Sequence, residues 1–168
     1  LFIWKEEGNE IIDLEEIELG LLGVPSHVED DLVRFVSCKA KHVLVVEYNS
    51  VGFQFASMKL WKKLDLVMVI TGGVPSRAVS RFLHRLVNKY SLPCYLLTDR
   101  DAWGYFIFSC LKRGMVTPGC DDRFCRIDKL KYITPTSRDL KKYKIKRKIV
   151  RKWDKMWEER VKCLKEYK

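Results

Sequence analysis

The sequence lacks any long apolar run, and this absence argues against a membrane-spanning helix. Such a helix needs about 20 consecutive apolar residues, and no stretch of the 168 residues approaches that length. A signal-peptide pattern is also missing, because acids follow the first few residues. The chain begins at Leu1 rather than at Met. We therefore expect a part of a longer protein, located inside the cell and without a membrane partner.

Paired cysteine spacing is missing as well. The six cysteines are scattered, and the Cys120–Cys125 pair has neither a second pair nor a histidine nearby. A zinc site at that pair is the weaker alternative. The spacing favours reduced cysteines in an intracellular protein.

Acidic residues are scarce after the first fifth of the chain. Residues 1–34 hold ten acids and two bases, whereas residues 129–168 hold 16 bases and five acids, within a net charge of +10. A basic middle and tail indicate a polyanionic partner such as nucleic acid. The alternative for the tail alone is a solvated lysine-rich helix face.

The hydrophobic pattern predicts an α/β fold. Apolar runs typical of buried parallel strands cover residues 42–47, 65–70 and 94–98. Helical periodicity follows each of them, over residues 50–63, from residue 77 and over residues 102–112. This order implies a mostly parallel sheet with right-handed crossovers.

The pattern outside this core is less regular. It predicts a β-hairpin in residues 1–20, a helix start capped by Ser26, an irregular stretch over residues 115–135 with one short strand, and an amphipathic helix over residues 147–167. We expect a lead-in over residues 1–40, a core over residues 41–135 and a basic helical extension over residues 136–168.

Two of the predicted strands end on carboxylates. Glu47 ends the first run, and Asp99 and Asp101 follow the third. Open α/β sheets place their chemistry at the carboxyl ends of strands. At roughly 4 Å separation, each pair of these charges costs about 4 kcal/mol at an effective dielectric near 20. A divalent cation such as Mg²⁺ would offset that repulsion. The alternative is that both aspartates only cap the following helix.

A glycine turn separates the two acidic strand ends. It contains Gly72 and Gly73, and the helix after it carries Arg77, Arg81 and Arg85 at four-residue spacing, hence on one side. Arginines on a helix that follows a glycine-rich turn are suited to phosphate contact. Ordinary surface arginines are the alternative.

These segments together resemble a known family. The runs LVVE, TGGVPSRAVSRFLHRL and LPCYLLTDRDAWGYFIFSCLKRG resemble the Toprim domain of the DNA topoisomerase VI A subunit. The meiotic double-strand-break transesterase belongs to the same family. The acidic segment GNEIID and the later Gly-Val-Pro-Ser resemble the stretch that leads into that domain.

The resemblance implies a Rossmann-like Toprim fold and a Mg²⁺-dependent enzyme. Such enzymes cleave both DNA strands through a tyrosine on each of two A subunits, and an ATP-binding B subunit drives strand passage. Motif matching places Glu47, Asp99 and Asp101 on the metal-binding acids, with Glu47 also as a catalytic residue. It places Gly72, Gly73 and the arginines of the following helix on the family's glycine-turn segment, where DNA contact is expected. Arg100 is not part of the family pattern, and we expect it to reach the DNA as well.

The chain departs from the family pattern at three positions. Tyr48 follows Glu47 where lysine is usual, Arg100 stands between the two aspartates, and Gly73 replaces a lysine of the glycine turn. The nucleophilic tyrosine belongs to a preceding winged-helix domain, so this chain alone is expected to bind metal and DNA without cleaving DNA. Two alternatives stay open: another Toprim phosphoryl-transfer enzyme, such as a primase or small nuclease, and a non-catalytic DNA-binding or assembly module.

Overall fold

The computed structural model describes residues 2–5, 10–13, 23–24, 33–114 and 122–144. The predicted helix start at Ser26 and the predicted terminal helix over residues 147–167 lie outside these residues. Among the described residues, no helix is long and apolar enough to cross a membrane.

The first part of the chain forms a small antiparallel sheet. Strand β1 (Phe2–Lys5) pairs with β2 (Glu10–Asp13) in the predicted hairpin, and Phe2 lies opposite Asp13. Strand β3 (Val33–Ser37) pairs with the other side of β1 and completes the order β2-β1-β3. The sequence pattern did not predict β3, because Arg34 and Ser37 interrupt its apolar residues.

The core of the chain is a four-stranded parallel sheet, as predicted. Its strands are β4 (His42–Val46), β5 (Leu66–Ile70), β6 (Cys94–Leu97) and β7 (Lys131–Ile133), and their order is β5-β4-β6-β7. The register pairs Val43 with Val67 on one side and with Cys94 on the other. Because crossover helices cover both faces of a parallel sheet, the residues of β4 are buried or half-buried, which explains the unbroken apolar run.

Helices connect these strands: α1 (Asn49–Ser57), α2 (Leu60–Lys63), α3 (Arg77–Tyr90) and α4 (Ala102–Arg113). A short 3-10 turn (Asp122–Phe124) and helix α5 (Ser137–Lys142) come later in the chain. Right-handed crossovers place α1 on one face of the sheet and α3 and α4 on the other. The main core lies under α3 and α4, where their side chains pack on the alternate strand residues.

The prediction of one continuous helix over residues 50–63 is wrong. The chain leaves helical geometry at Lys59, which has a left-handed φ of 50°. The Ser57 hydroxyl donates to the carbonyl of Phe53, at 2.9 Å. Such back-bonding by serine competes with regular helix geometry and favours a helix end.

The small sheet is fastened to the core through β3. Val33 and Phe35 are buried in the same core as the parallel strands, and Phe35 packs edge-on against Phe82 of α3. Two cations of α3 reach the same strand. Arg85 Nη2 donates to the carbonyl of Val33 at 2.7 Å, and Lys89 Nζ donates to the carbonyl of Phe35 at 2.6 Å.

Candidate metal centre

The strand order creates a crevice between β4 and β6. From β4 the chain crosses to β5 on one side and then returns to β6 on the other side. Ligands of open α/β sheets bind at the carboxyl end of strands where the order reverses in this way. Glu47 directly follows β4, and Asp99 and Asp101 follow β6. The structure therefore brings the three predicted acids to one edge of the sheet, at its topological switch point.

Glu47 is the buried member of this group. Only 4% of the residue is exposed. Its backbone N–H donates to the carbonyl of Leu97 at 3.1 Å, and its carbonyl accepts from the N–H of Gly73 at 3.1 Å. The Asp99 backbone hydrogen-bonds its carboxyl group, whereas Oε2 finds no hydrogen-bond partner among the described residues. A buried carboxylate oxygen without a partner is costly and therefore indicates a role.

Burial raises the pKa of Glu47, and the negative charges of Asp101 and then Asp99 raise it further. The hydrogen bond from the Asp99 backbone acts in the opposite direction, because it favours the ionised form. The three acids are thus close enough to repel one another, as the sequence pattern predicted. A like-charged cluster around a buried carboxyl group is typical of functional sites.

Asp101 has a structural contact in addition. It is the N-cap of α4, and its Oδ1 accepts from the N–H of Gly104 at 2.7 Å. The capping alternative is therefore correct for one oxygen of this residue. It does not explain Glu47, which caps no helix.

Asp99 is exposed and lies beside Tyr48. The Tyr48 side chain hydrogen-bonds the Asp99 carboxylate, whose charge is the largest cause of a raised pKa of the phenol. The chain therefore has a neutral donor, the Tyr48 phenol, on one of the three acids.

The donor set fits Mg²⁺, which prefers carboxylate oxygens and keeps several waters, so that two or three carboxylates suffice. The unpartnered Oε2 of Glu47 supports this fit. As placed, the described part of the chain has no group of three His, Cys, Asp or Glu side chains that could hold an ion. The acids share an edge but do not form a closed cage.

The glycine turn lies against the same edge. Gly72 has φ +65° and Gly73 has φ +118°. A side chain at Gly72 would approach within 3.0 Å of Asn49 Oδ1, whereas space is open around Gly73. At Gly73 the backbone conformation itself favours glycine.

The four arginines proposed for DNA differ in their surroundings. Arg77 is exposed and is the first residue of α3, four residues after Gly73, and the Arg81 guanidinium lies 5.9 Å from the ring centre of Phe124. Arg85 is the arginine bound to β3, farthest from the acids along α3. Arg100 Nη1 donates to Ser137 Oγ at 2.6 Å. The helical period puts the three α3 arginines on one side, and of these Arg77 is nearest along α3 to the glycine turn.

Sequence reasoning missed two side chains that touch the Asp-x-Asp turn. Thr98 is buried and its hydroxyl donates to the carbonyl of Asp99, at 2.9 Å. Tyr132 comes from β7, and its hydroxyl lies 2.8 Å from that of Thr98. A polar residue ending an apolar run was the available signal for Thr98. Tyr132 carried none, because β7 lies in a stretch without periodicity.

Comparisons with known proteins decide the family. The family model for the Toprim domain shared by the topoisomerase 6 A subunit and Spo11 matches residues 42–167. This chain belongs to that family. Its Toprim fold and the resemblance of its motifs are thereby confirmed, and Glu47, Asp99 and Asp101 all lie within the matched part.

Individual relatives of this Toprim domain are named as A subunits of type 2 DNA topoisomerase 6. The chain is 33% identical over 140 residues to the A subunit of the type 2 DNA topoisomerase 6 of Hyperthermus butylicus, covering 83% of this chain and 36% of that protein. It is 37% identical over 110 residues to that of Sulfurisphaera tokodaii, covering 66% of this chain and 28% of that protein. The chain is 32% identical over 140 residues to the A subunit of Aeropyrum pernix, covering 83% of this chain and 36% of that protein. The Toprim chain thus matches about a third of the length of these relatives.

Proposed function

We propose that this chain is the metal-binding Toprim part of a type IIB DNA topoisomerase A subunit. It would position Mg²⁺ at the scissile phosphate for tyrosine-mediated cleavage and rejoining of both DNA strands. The observation that carries the proposal is the buried, unpartnered Oε2 of Glu47, coupled by charge to Asp99 and Asp101 at the switch point of the sheet. The relatives, which are named as A subunits of topoisomerase 6, support the same interpretation.

The proposed site residues have three different roles: metal binding, proton transfer and DNA contact. Glu47, Asp99 and Asp101 would hold the metal, which supplies charge neutralisation at the phosphate oxygens. Glu47 would also transfer a proton during rejoining. The glycine turn, bonded to the Glu47 carbonyl through Gly73, would let the DNA backbone approach closely. The DNA contacts are proposed for Gly72, Gly73 and the four arginines at positions 77, 81, 85 and 100.

The proposed partners follow from the same interpretation. They are double-stranded DNA, a second A subunit in a homodimer, and a B subunit that hydrolyses ATP. The nucleophilic tyrosine would come from outside these 168 residues. We propose an intracellular location, in the cytoplasm with the nucleoid or in the nucleus, since the substrate is chromosomal DNA. The division into residues 1–40, 41–135 and 136–168 stays a proposal.

Removing the two exposed acids tests the metal site. In the variant with Asp99→Asn and Asp101→Asn, we expect Mg²⁺ affinity, measured by calorimetric titration of the full chain, to fall more than about 100-fold. The fold should persist, because asparagine is also a good N-cap. Asp128→Asn is the control, since this exposed acid pairs with Arg126 and lines a different cavity, beside Pro93. Equal Mg²⁺ affinity in the double variant and the control would refute the site.

Removing Arg77 tests the DNA contact. Arg77→Ala should weaken binding of a short DNA duplex, and the slope of log affinity against log salt should fall by about 0.9, the value for one phosphate. Arg85→Ala is the matched comparison on the same side of α3. Because Arg85 donates to the carbonyl of Val33, Arg85→Ala should lower the melting temperature of the chain more than Arg77→Ala does. An unchanged salt slope for Arg77→Ala would contradict the contact.

A further inference from the structure

The turn that carries the two aspartates is held from outside by a side chain of β7. The Tyr132 hydroxyl lies 2.8 Å from Thr98 Oγ1 and 3.3 Å from the carbonyl oxygen of Asp99, while Thr98 Oγ1 lies 2.9 Å from the same carbonyl. The two hydroxyl groups thus lie close to each other and to one carbonyl acceptor, and the Thr134 side chain is a further polar neighbour of the Tyr132 hydroxyl. When one of the two hydroxyls donates to the other, the second donates to the Asp99 carbonyl, and both hydroxyls can also donate to that carbonyl together.

The position of the Tyr132 hydroxyl is fixed by packing. Its ring centre lies 5.1 Å from that of Tyr105 and 5.0 Å from that of Phe108, both on α4. The first turn of the same helix packs closely against the two hydroxyls, because a Cβ at Gly104 would come within 2.9 Å of the Tyr132 hydroxyl. The donor therefore cannot move away from the turn without displacing α4 or β7.

These contacts determine where the Asp99 side chain points. The peptide group before its Cα bonds to the Glu47 carboxyl group through the Asp99 backbone. The peptide group after its Cα bonds, through its carbonyl, to Thr98 and Tyr132. With both flanking peptide groups held, the direction of the bond from Cα to Cβ is set. The carboxylate then stands beside Tyr48 and within electrostatic reach of Glu47.

We propose that Tyr132 is a positioning residue of the metal centre, acting through Thr98 on the peptide group of Asp99. This inference rests on the proposed function, because it gives Tyr132 a role at the metal site described above. Residues that orient metal ligands typically change metal affinity 10- to 100-fold when they are removed. Tyr132 lies 33 residues after Asp99, so β7 contributes to the centre although none of its side chains is proposed as a metal ligand.

Single-atom substitutions test this role. In Tyr132→Phe the ring and its packing remain and only the hydroxyl is lost, and we expect Mg²⁺ affinity to fall about tenfold in a calorimetric titration of the full chain. Tyr105→Phe is the matched control, since it removes the hydroxyl of the neighbouring, exposed ring. Thr98→Ser, which keeps a hydroxyl, should bind like wild type, whereas Thr98→Val should resemble Tyr132→Phe.

A second measurement separates this proposal from the metal site itself. Hydrogen exchange of the Asp99 amide, followed without metal, should be at least about tenfold faster in Tyr132→Phe, while exchange of the β4 amides stays as in wild type. If wild type binds no Mg²⁺ but Asp99 exchange rises in the variant, the proposed metal function fails and the positioning role stands. If Asp99 exchange is unchanged in Tyr132→Phe, or if wild type binds Mg²⁺ and the variant binds it with equal affinity, the positioning role is refuted.

Discussion

Alanine at Gly104 is expected to destabilise the chain by about 3 kcal/mol, at the upper end of the usual range for overpacking. The added Cβ would lie 2.5 Å from the carbonyl oxygen of Asp99, which is backbone, and would also collide with Thr98 Oγ1. Neither neighbour can rotate away, because both are bonded within the turn. The turn must shift, so Mg²⁺ affinity should fall along with the free energy of unfolding. Urea denaturation and metal titration of the full chain measure the two effects.

Gly52→Ala is the matched control for this substitution. Gly52 also lies inside a helix, and a Cβ there would come within 2.6 Å of Ile70. Its neighbours are side-chain atoms of Ile70 only. This side chain is stiff because it branches at Cβ, but it can shift without moving the backbone, so we expect a smaller loss than at Gly104, about 2 kcal/mol. Alanine gains roughly the same helix propensity, about 1 kcal/mol, at both positions. Gly104→Ala as stable as wild type would show that the turn gives way without strain.

Glutamine at Glu47 is expected to act in opposite directions on stability and on metal binding. Because the pKa of Glu47 is raised in the folded chain, the folded state holds this proton more tightly than the unfolded state. The favourable contribution is complete below the unfolded pKa and is lost as the pH rises through the folded pKa. Near neutral pH the ionised side chain therefore destabilises the metal-free protein. Glu47→Gln removes this charge and should raise stability by roughly 1 kcal/mol.

The comparison is sharpest in thermal melts with EDTA and with saturating MgCl₂. With EDTA, the gain from Glu47→Gln should be present near pH 8 and shrink toward pH 5 or below, where wild type is increasingly protonated. With MgCl₂, wild type should gain stability from bound metal while the variant does not. A variant less stable than wild type in EDTA near pH 8 would mean that the carboxylate has a stabilising partner.

The sequence was sufficient to predict the core sheet and the meeting of the acids. Buried parallel strands are apolar on both faces, so β4, β5 and β6 were visible as runs, and parallel strands bring their carboxyl ends to one edge. Glu47 and Asp99 were therefore placed together without any knowledge of distances. The strand order itself, with β4 in the middle, came only from the structure.

The remaining parts of the site depend on contacts between distant segments. Arg85 fits the period of an exposed helix face, but its partner is a carbonyl of β3, a strand that the sequence pattern did not predict. Tyr132 likewise meets Thr98 only because β7 pairs with β6. Periodicity reports which side of an element a residue occupies. It does not report which backbone group or hydroxyl of another element will contact that residue.

The fastening of β3 has a consequence for the colloidal behaviour of this protein. A strand at the rim of a sheet offers its carbonyl groups to any extended chain that approaches, which is a common start of aggregation. Within the described residues, β3 ends its sheet, and the carbonyls of Val33 and Phe35 already accept from Arg85 and Lys89. The two cations thus occupy the carbonyl groups to which a further strand would have to hydrogen-bond. The same contacts that hold the small sheet on the core also protect its open rim from pairing with another molecule.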